Sequence, residues 1–148
     1  MSGPSSGPVR GPDIAGLAHV GIAVRALGPA IERWTQAFGF TLEGEETIES
    51  MGLRLAFLRS GDATIELLEP TRADSAVARF LEKRGEGIHH LSFRVPDIEA
   101  ALARAAAAGL ELIDRTPRDG SHGTKIAFLH PRSMFGVLVE FCERRERP

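Results

Sequence analysis

Displaced by 71 positions, the chain lies over itself, and no other feature restricts its fold so strongly. Leu17-Ala-His-Val-Gly-Ile-Ala-Val24 falls on Ile88-His-His-Leu-Ser-Phe-Arg-Val95, with His19 on His90. Leu53-Arg-Leu-Ala-Phe-Leu58 falls on Thr124-Lys-Ile-Ala-Phe-Leu129, and the Ala-Phe-Leu triplet is identical. All four segments are dense in β-branched and apolar residues and read as strands. Each half also carries a helical pattern. In the first it covers Leu27 to Phe38, with Pro29 near its start and Gly39 as its stop. In the second, Pro96-Asp97 leads into Ile98 to Ala108, where Ile98, Leu102 and Ala105 recur at helical spacing before Gly109. A last strand closes each half, Ala63 to Glu69 before Pro70, and Gly136 to Cys142. Ile65-Glu66-Leu67 then matches Val139-Glu140-Phe141, with three extra residues in the second half's preceding turn. The order is β-α-β-β-β, twice.

This repeat sets the expected domain plan. Residues 1–13, rich in Gly, Pro and Ser, form a flexible tail; 14–72 are the first module and 73–86 a connection. Residues 87–143 are the second module, and 144–148 a C-terminal tail. The connection holds a short helix up to Arg84, capped by Asp74 or Ser75 and broken by Gly85-Glu-Gly87. The tail shows neither the apolar stretch of a signal peptide nor an Arg-rich amphipathic transit pattern, so a cytoplasmic protein is expected. Eighteen basic against 20 acidic side chains leave a net charge of −2, which argues against a nucleic-acid partner. The single cysteine, Cys142, excludes an intramolecular disulfide. No run approaches the ~18 apolar residues of a membrane span.

Two strands of each half keep one conspicuous polar residue among apolar neighbours: His19 and Glu66, then His90 and Glu140. A carboxylate on such a strand is costly unless paired, hydrogen-bonded or metal-bound. A single strand histidine is more often a satisfied core residue, and a single strand glutamate more often solvated. Repetition at matching places turns the four into a candidate set for one divalent ion. Imidazole and carboxylate without thiolate suit zinc, cobalt, nickel, manganese or iron. Two related modules facing each other would bring the four together about a pseudo-twofold axis. Strand alternation puts His89 on the face opposite His90. His122 and His130 fall in turns, and Cys142 reads as apolar packing.

With these residues in hand, the chain resembles the vicinal oxygen chelate superfamily, and within it the methylmalonyl-CoA epimerases. The resemblance is carried by Leu17-Ala-His-Val-Gly-Ile-Ala-Val24, Glu66-Leu-Leu-Glu-Pro70, Asp74-Ser-Ala-Val77, Phe80-Leu81, Gly87-Ile-His-His-Leu91, Phe128-Leu-His-Pro131 and Gly136-Val-Leu-Val-Glu140. It implies an α+β fold of two tandem βαβββ modules whose curved mixed sheets surround a metal. It further implies ligation by His19, Glu66, His90 and Glu140. The ion would be divalent, cobalt first, with zinc, nickel or manganese as alternatives. A homodimer acting on a coenzyme A thioester is implied as well, interconverting (R)- and (S)-methylmalonyl-CoA in propionate breakdown or its reverse. The sequence departs from the family at one place. Some epimerases carry a glutamate, proposed as a proton-transfer base, on the strand equivalent to Gly52 through Leu58; here that place holds Leu55, and Arg54 points to the other face.

The chemistry to be supported is removal of the proton between a thioester and a carboxylate, giving an enolate that a divalent ion stabilises. Inversion by two bases needs groups on opposite faces of the planar enolate. Glu140 is expected on one face and Glu66 on the other, each loosening from the ion during turnover. The glycine-rich turn Arg118 to Lys125 can offer N–H groups and cations to coenzyme A phosphates. His122 and Lys125 of this turn, and Ser133 beyond it, are candidate substrate contacts, with Arg132 behind them. Two other functions compete: a glyoxalase I-like lyase acting on a glutathione thiohemiacetal, and a non-catalytic, drug-sequestering binder. The binder is disfavoured by the retained polar set. A dioxygenase, which normally uses two histidines and one carboxylate, ranks lower still.

Overall fold

Strand alternation decides how the first half is layered. The computed structural model describes residues 10–144. These form two compact units: Leu17–Ser92, and the chain from Phe93 onward together with the described residues before Leu17.

The first unit contains β1 (Leu17–Ala23), α1 (Leu27–Glu32), β2 (Thr41–Ile48), β3 (Leu53–Ser60), β4 (Ala63–Pro70) and α2 (Ala76–Arg84). It also takes most of β5 (Gly87–Arg94). Its strands run in the order β2-β3-β4-β1-β5. β1 lies parallel to β4, with Gly21 beside Glu66, while β3 runs antiparallel to both β2 and β4 and sets Phe57 opposite Glu66. One sheet face buries Ala56, Leu58 and Leu67 against Leu27 of α1, with Trp34 beside them. The other face buries Ala23, Leu53, Leu55, Phe57 and Leu68 against Val77 and Leu81 of α2. His19, Gly21 and Glu66 alternate onto this second face.

The helix ends follow local chemistry. Ala26 has no capping side chain, and the Leu27 N–H instead donates to Glu69 Oε2 at 2.5 Å. Past Glu32 the helix widens into a π turn over Arg33–Ala37, and the chain turns at Gly39 with φ +84°. Of the two candidate caps for α2, Ser75 does the work, its Oγ accepting the Ala78 N–H at 3.1 Å, while Asp74 pairs with Arg72.

The second unit contains α3 (Ile98–Ala107), β6 (Arg118–Asp119), β7 (Lys125–Leu129) and β8 (Val139–Glu143). Ile98, Ala101, Leu102 and Ala105 of α3 pack on Ala127, Leu129, Val139 and Phe141. The duplication is visible in the backbone. Val24 donates to the Leu68 carbonyl at 2.9 Å, and Val95 to the Cys142 carbonyl at 3.1 Å. Phe57 faces Glu66, and Phe128 faces Glu140.

The closing strand starts at Val139, not at Gly136 as the apolar run suggests. Pro131–Met134 form a 3₁₀ turn, and Phe135 and Gly136 then take left-handed conformations (φ +56° and +93°) that no strand accommodates. Before Leu17, Ala15 donates to the Arg94 carbonyl, Arg94 donates to that of Gly16, and Asp13 meets Arg104. The first nine residues of the expected N-terminal tail, and 145–148 of the C-terminal one, lie outside the described residues. No helix among the described residues is long and apolar enough to cross a membrane.

Candidate metal centre

Within the first unit, β1, β4 and β5 bring three of the four expected residues together. His19 is 8% exposed, Glu66 7% and His90 5%. His19 Nε2 lies 3.0 Å from His90 Nε2, with the rings edge to face. On its outer side, His19 Nδ1 lies 2.8 Å from Glu66 Oε2. His90 Nδ1 lies 3.0 Å from His89 Nδ1. When each outer Nδ1–H donates, to Glu66 and to His89, both Nε2 lone pairs turn on one another. Such an arrangement suits a cation between the two rings.

Burial keeps two of these rings uncharged. Burial, reinforced by His19 and His89, holds the His90 pKa well below the usual imidazole value, and burial pushes His89 down to about 4. Both rings are therefore neutral near pH 7, as metal ligation requires.

Gly21 makes room for this pairing. A Cβ there would come within 2.2 Å of His90 Cε1 and 2.5 Å of its Nδ1. Only glycine lets the imidazole lie across β1 toward His19. Gly21 escapes a search for chemically active side chains; its signal in the sequence is a glycine inside an otherwise β-branched strand.

His89 departs from the simple alternation expectation. Its ring rests edge-on to Phe80 of α2 at 5.0 Å and still reaches the Nδ1 of His90. In the second unit Glu140 is 3% exposed on β8. The candidate substrate contacts also belong there. His122 adopts a left-handed conformation (φ +54°) in a tight turn, Lys125 pairs with Asp119, and Ser133 Oγ accepts the Glu111 N–H at 2.7 Å. His130 caps its own turn by accepting the Arg132 N–H. Cys142 is buried beside the core strands.

Comparison with known proteins identifies the family. Residues 18–128 match the family described as glyoxalase/bleomycin resistance protein/dioxygenase superfamily. An uncharacterised Bacillus subtilis protein, YqjC, is 42% identical over 127 residues, covering 86% of this chain and 91% of its own. The ethylmalonyl-CoA/methylmalonyl-CoA epimerase of Cereibacter sphaeroides is 36% identical over 129 residues, 86% of this chain and 96% of that one. The crystal structure of methylmalonyl-CoA epimerase from Mycobacterium tuberculosis superposes with a TM-score of 0.86 at 39% identity, over 90% of each chain.

Proposed function

Because the chain belongs to the glyoxalase/bleomycin resistance protein/dioxygenase superfamily, we propose that it is an epimerase interconverting (R)- and (S)-methylmalonyl-CoA. Its similarity to proteins named for that activity spans nearly the whole length of each. The observation that carries the reading is the buried pair of imidazoles, His19 and His90, with Nε2 atoms 3.0 Å apart. A drug-sequestering binder has no need of it.

His19, Glu66, His90 and Glu140 form the proposed ligand set. Glu140 is its member from the second unit, on the strength of its burial and of a register opposite Phe128 that copies Glu66 opposite Phe57. The donors suit cobalt first, with zinc, nickel or manganese as alternatives. A divalent ion there supplies Lewis acidity toward the thioester and carboxylate oxygens, lowering the cost of developing negative charge.

The remaining chemistry belongs to side chains. Glu140 accepts the proton from the carbon between thioester and carboxylate, and the C–H electron pair passes to the thioester oxygen as an enolate. A proton returned on the other face gives the opposite epimer. Glu66 delivers that proton after taking one up from solvent, and to do so gives up the His19 Nδ1–H it accepts. The turn Arg118 to Lys125, with His122 and Lys125, and the neighbouring Ser133 are the proposed contacts for the coenzyme A portion. The chain is further proposed to act as a cytoplasmic homodimer, in propionate breakdown or its reverse.

The test is deuterium uptake from heavy water into methylmalonyl-CoA, beside metal analysis of the purified protein. Uptake with about one divalent ion per chain supports the reading. Lactoylglutathione formation from methylglyoxal and glutathione, without uptake, replaces it with the glyoxalase I-like lyase.

A further inference from the structure

A neutral imidazole carries one proton, and to offer Nε2 to an ion it must carry that proton on Nδ1. For His19 a carboxylate sees to this, with Glu66 Oε2 2.8 Å from Nδ1. We propose that His89 does the same for His90: it is a positioning residue of the metal centre that holds the His90 proton on Nδ1 and so keeps Nε2 open. This rests on the ligand set proposed above. Every residue it invokes belongs to the first unit.

Two neutral imidazole nitrogens 3.0 Å apart hold one proton between them. Between His89 Nδ1 and His90 Nδ1 that proton can belong to either ring. On His89, it leaves the His90 proton on Nε2, aimed at His19 Nε2 3.0 Å away, and His90 donates where a ligand must accept. On His90, the Nδ1–H donates to His89 and the Nε2 lone pair turns toward His19. Ligation needs the second arrangement, and His89 Nδ1 is placed to accept the proton it requires.

The contact is built rather than incidental. Successive strand residues ordinarily point to opposite faces, so a nitrogen-to-nitrogen contact between chain neighbours does not follow from the strand itself. The His89 ring is seated edge-on against Phe80 of α2, with centroids 5.0 Å apart and planes at 79°. It meets the His90 ring at 87°. α2 is in turn fixed to the sheet through Val77 and Leu81. Gly21 gives the His90 ring its room; His89 decides which of its nitrogens carries the proton. The repeat supplies no copy of this device, because 71 positions earlier His89 falls on Ala18. His19 is served across the sheet by a carboxylate on β4, and His90 by an imidazole on its own strand. The two histidines thus reach one tautomer by different means.

The experiment compares wild type, His89→Asn and His89→Leu. Asn Oδ1 stands close to the place of imidazole Nδ1 and accepts a hydrogen bond, whereas Leu keeps an apolar contact for Phe80 and accepts none. Cobalt is titrated calorimetrically into each metal-free protein, and the thermal midpoint of each is recorded beside it. His89→Leu is expected to bind cobalt roughly 10–100-fold more weakly, and His89→Asn within about threefold of wild type. Unchanged affinity in His89→Leu overturns the proposal, and so does equal weakening in both variants. A second readout needs no variant. In zinc-loaded wild type labelled with nitrogen-15, a scalar coupling is expected between His90 Nδ1 and His89 Nδ1, with the proton on His90. A proton on His89 Nδ1 overturns the assignment. A wild-type protein that takes up neither cobalt nor zinc overturns the ligand set, and this inference with it. The expected cobalt pattern without deuterium uptake into methylmalonyl-CoA overturns the epimerase reading and still supports the role of His89.

Discussion

The two halves share a backbone plan and differ at the places that decide function. Phenylalanine opposes a buried glutamate in each, and a valine N–H closes each first strand onto the last. At the equivalent of Gly21, however, the second half carries Ser92, 0% exposed. Where the first half lays eight residues of β2 along β3, the second offers two residues of β6 along β7. The missing ladder is replaced by a loop: Asp114 accepts the Phe128 N–H at 2.8 Å, Ile113 donates to the Phe128 carbonyl, and Leu112 bridges Leu129. Duplication thus kept the contacts that hold the acid in place, while the flanking positions were free to take different tasks.

The comparison breaks most visibly if the imidazole pair is dispensable. Replacing His90 by Ala removes one of the two facing Nε2 atoms and leaves His19 paired with Glu66. Epimerisation should fall about 10²–10³-fold, with bound metal measured on the same sample. Unchanged turnover would mean that the repeated histidines are ordinary core residues.

A smaller effect separates Gly21 from its counterpart. Gly21→Ala puts a methyl inside the volume of the His90 ring, so the ring must move. Metal affinity is expected to drop roughly 10–100-fold, the scale seen when a ligand's support is lost, with little change in the thermal midpoint. Metal titration followed by calorimetry checks both. Undiminished affinity would show that His90 can ligate from another rotamer.

The repeat made much of this legible before any coordinates. His19, Glu66, His90 and Glu140 each look ordinary alone and become informative through their copies. Both principal helices were readable from spacing, Pro29 and the terminal glycines. The π turn over Arg33–Ala37 was not, because no local residue marks it. The starts of β6 and β8 were not legible either, since Asp114 and the left-handed Phe135 act through contacts and dihedrals that a composition pattern cannot carry.

The helix entries sharpen the contrast in stability rather than chemistry. α3 is capped by its own Asp97, whose Oδ1 accepts the Ala100 N–H at 3.1 Å, whereas α1 borrows Glu69 from a neighbouring strand. Asp97→Ala should cost about 1 kcal/mol, measured by urea unfolding, and leave turnover per folded molecule unchanged. A cost near zero would show that packing of Ile98, Leu102 and Ala105 alone fixes that helix.

The smallest expected change carries the opposite sign. Among the described residues Ser92 Oγ has no hydrogen-bond partner, and it is buried on the strand position where the first half has glycine. A buried hydroxyl with no partner forfeits its solvation, which typically costs on the order of 1–3 kcal/mol. Ser92→Ala keeps the Cβ that fills the space and removes only the polar atom. A stabilisation of about 1 kcal/mol is expected, raising the thermal midpoint by roughly 2–4 °C for a chain of this size. A destabilised Ser92→Ala would mean that the hydroxyl is bound in solution, by water or by substrate. The two equivalent positions would then both serve the site, one by its absence of side chain and one by its oxygen.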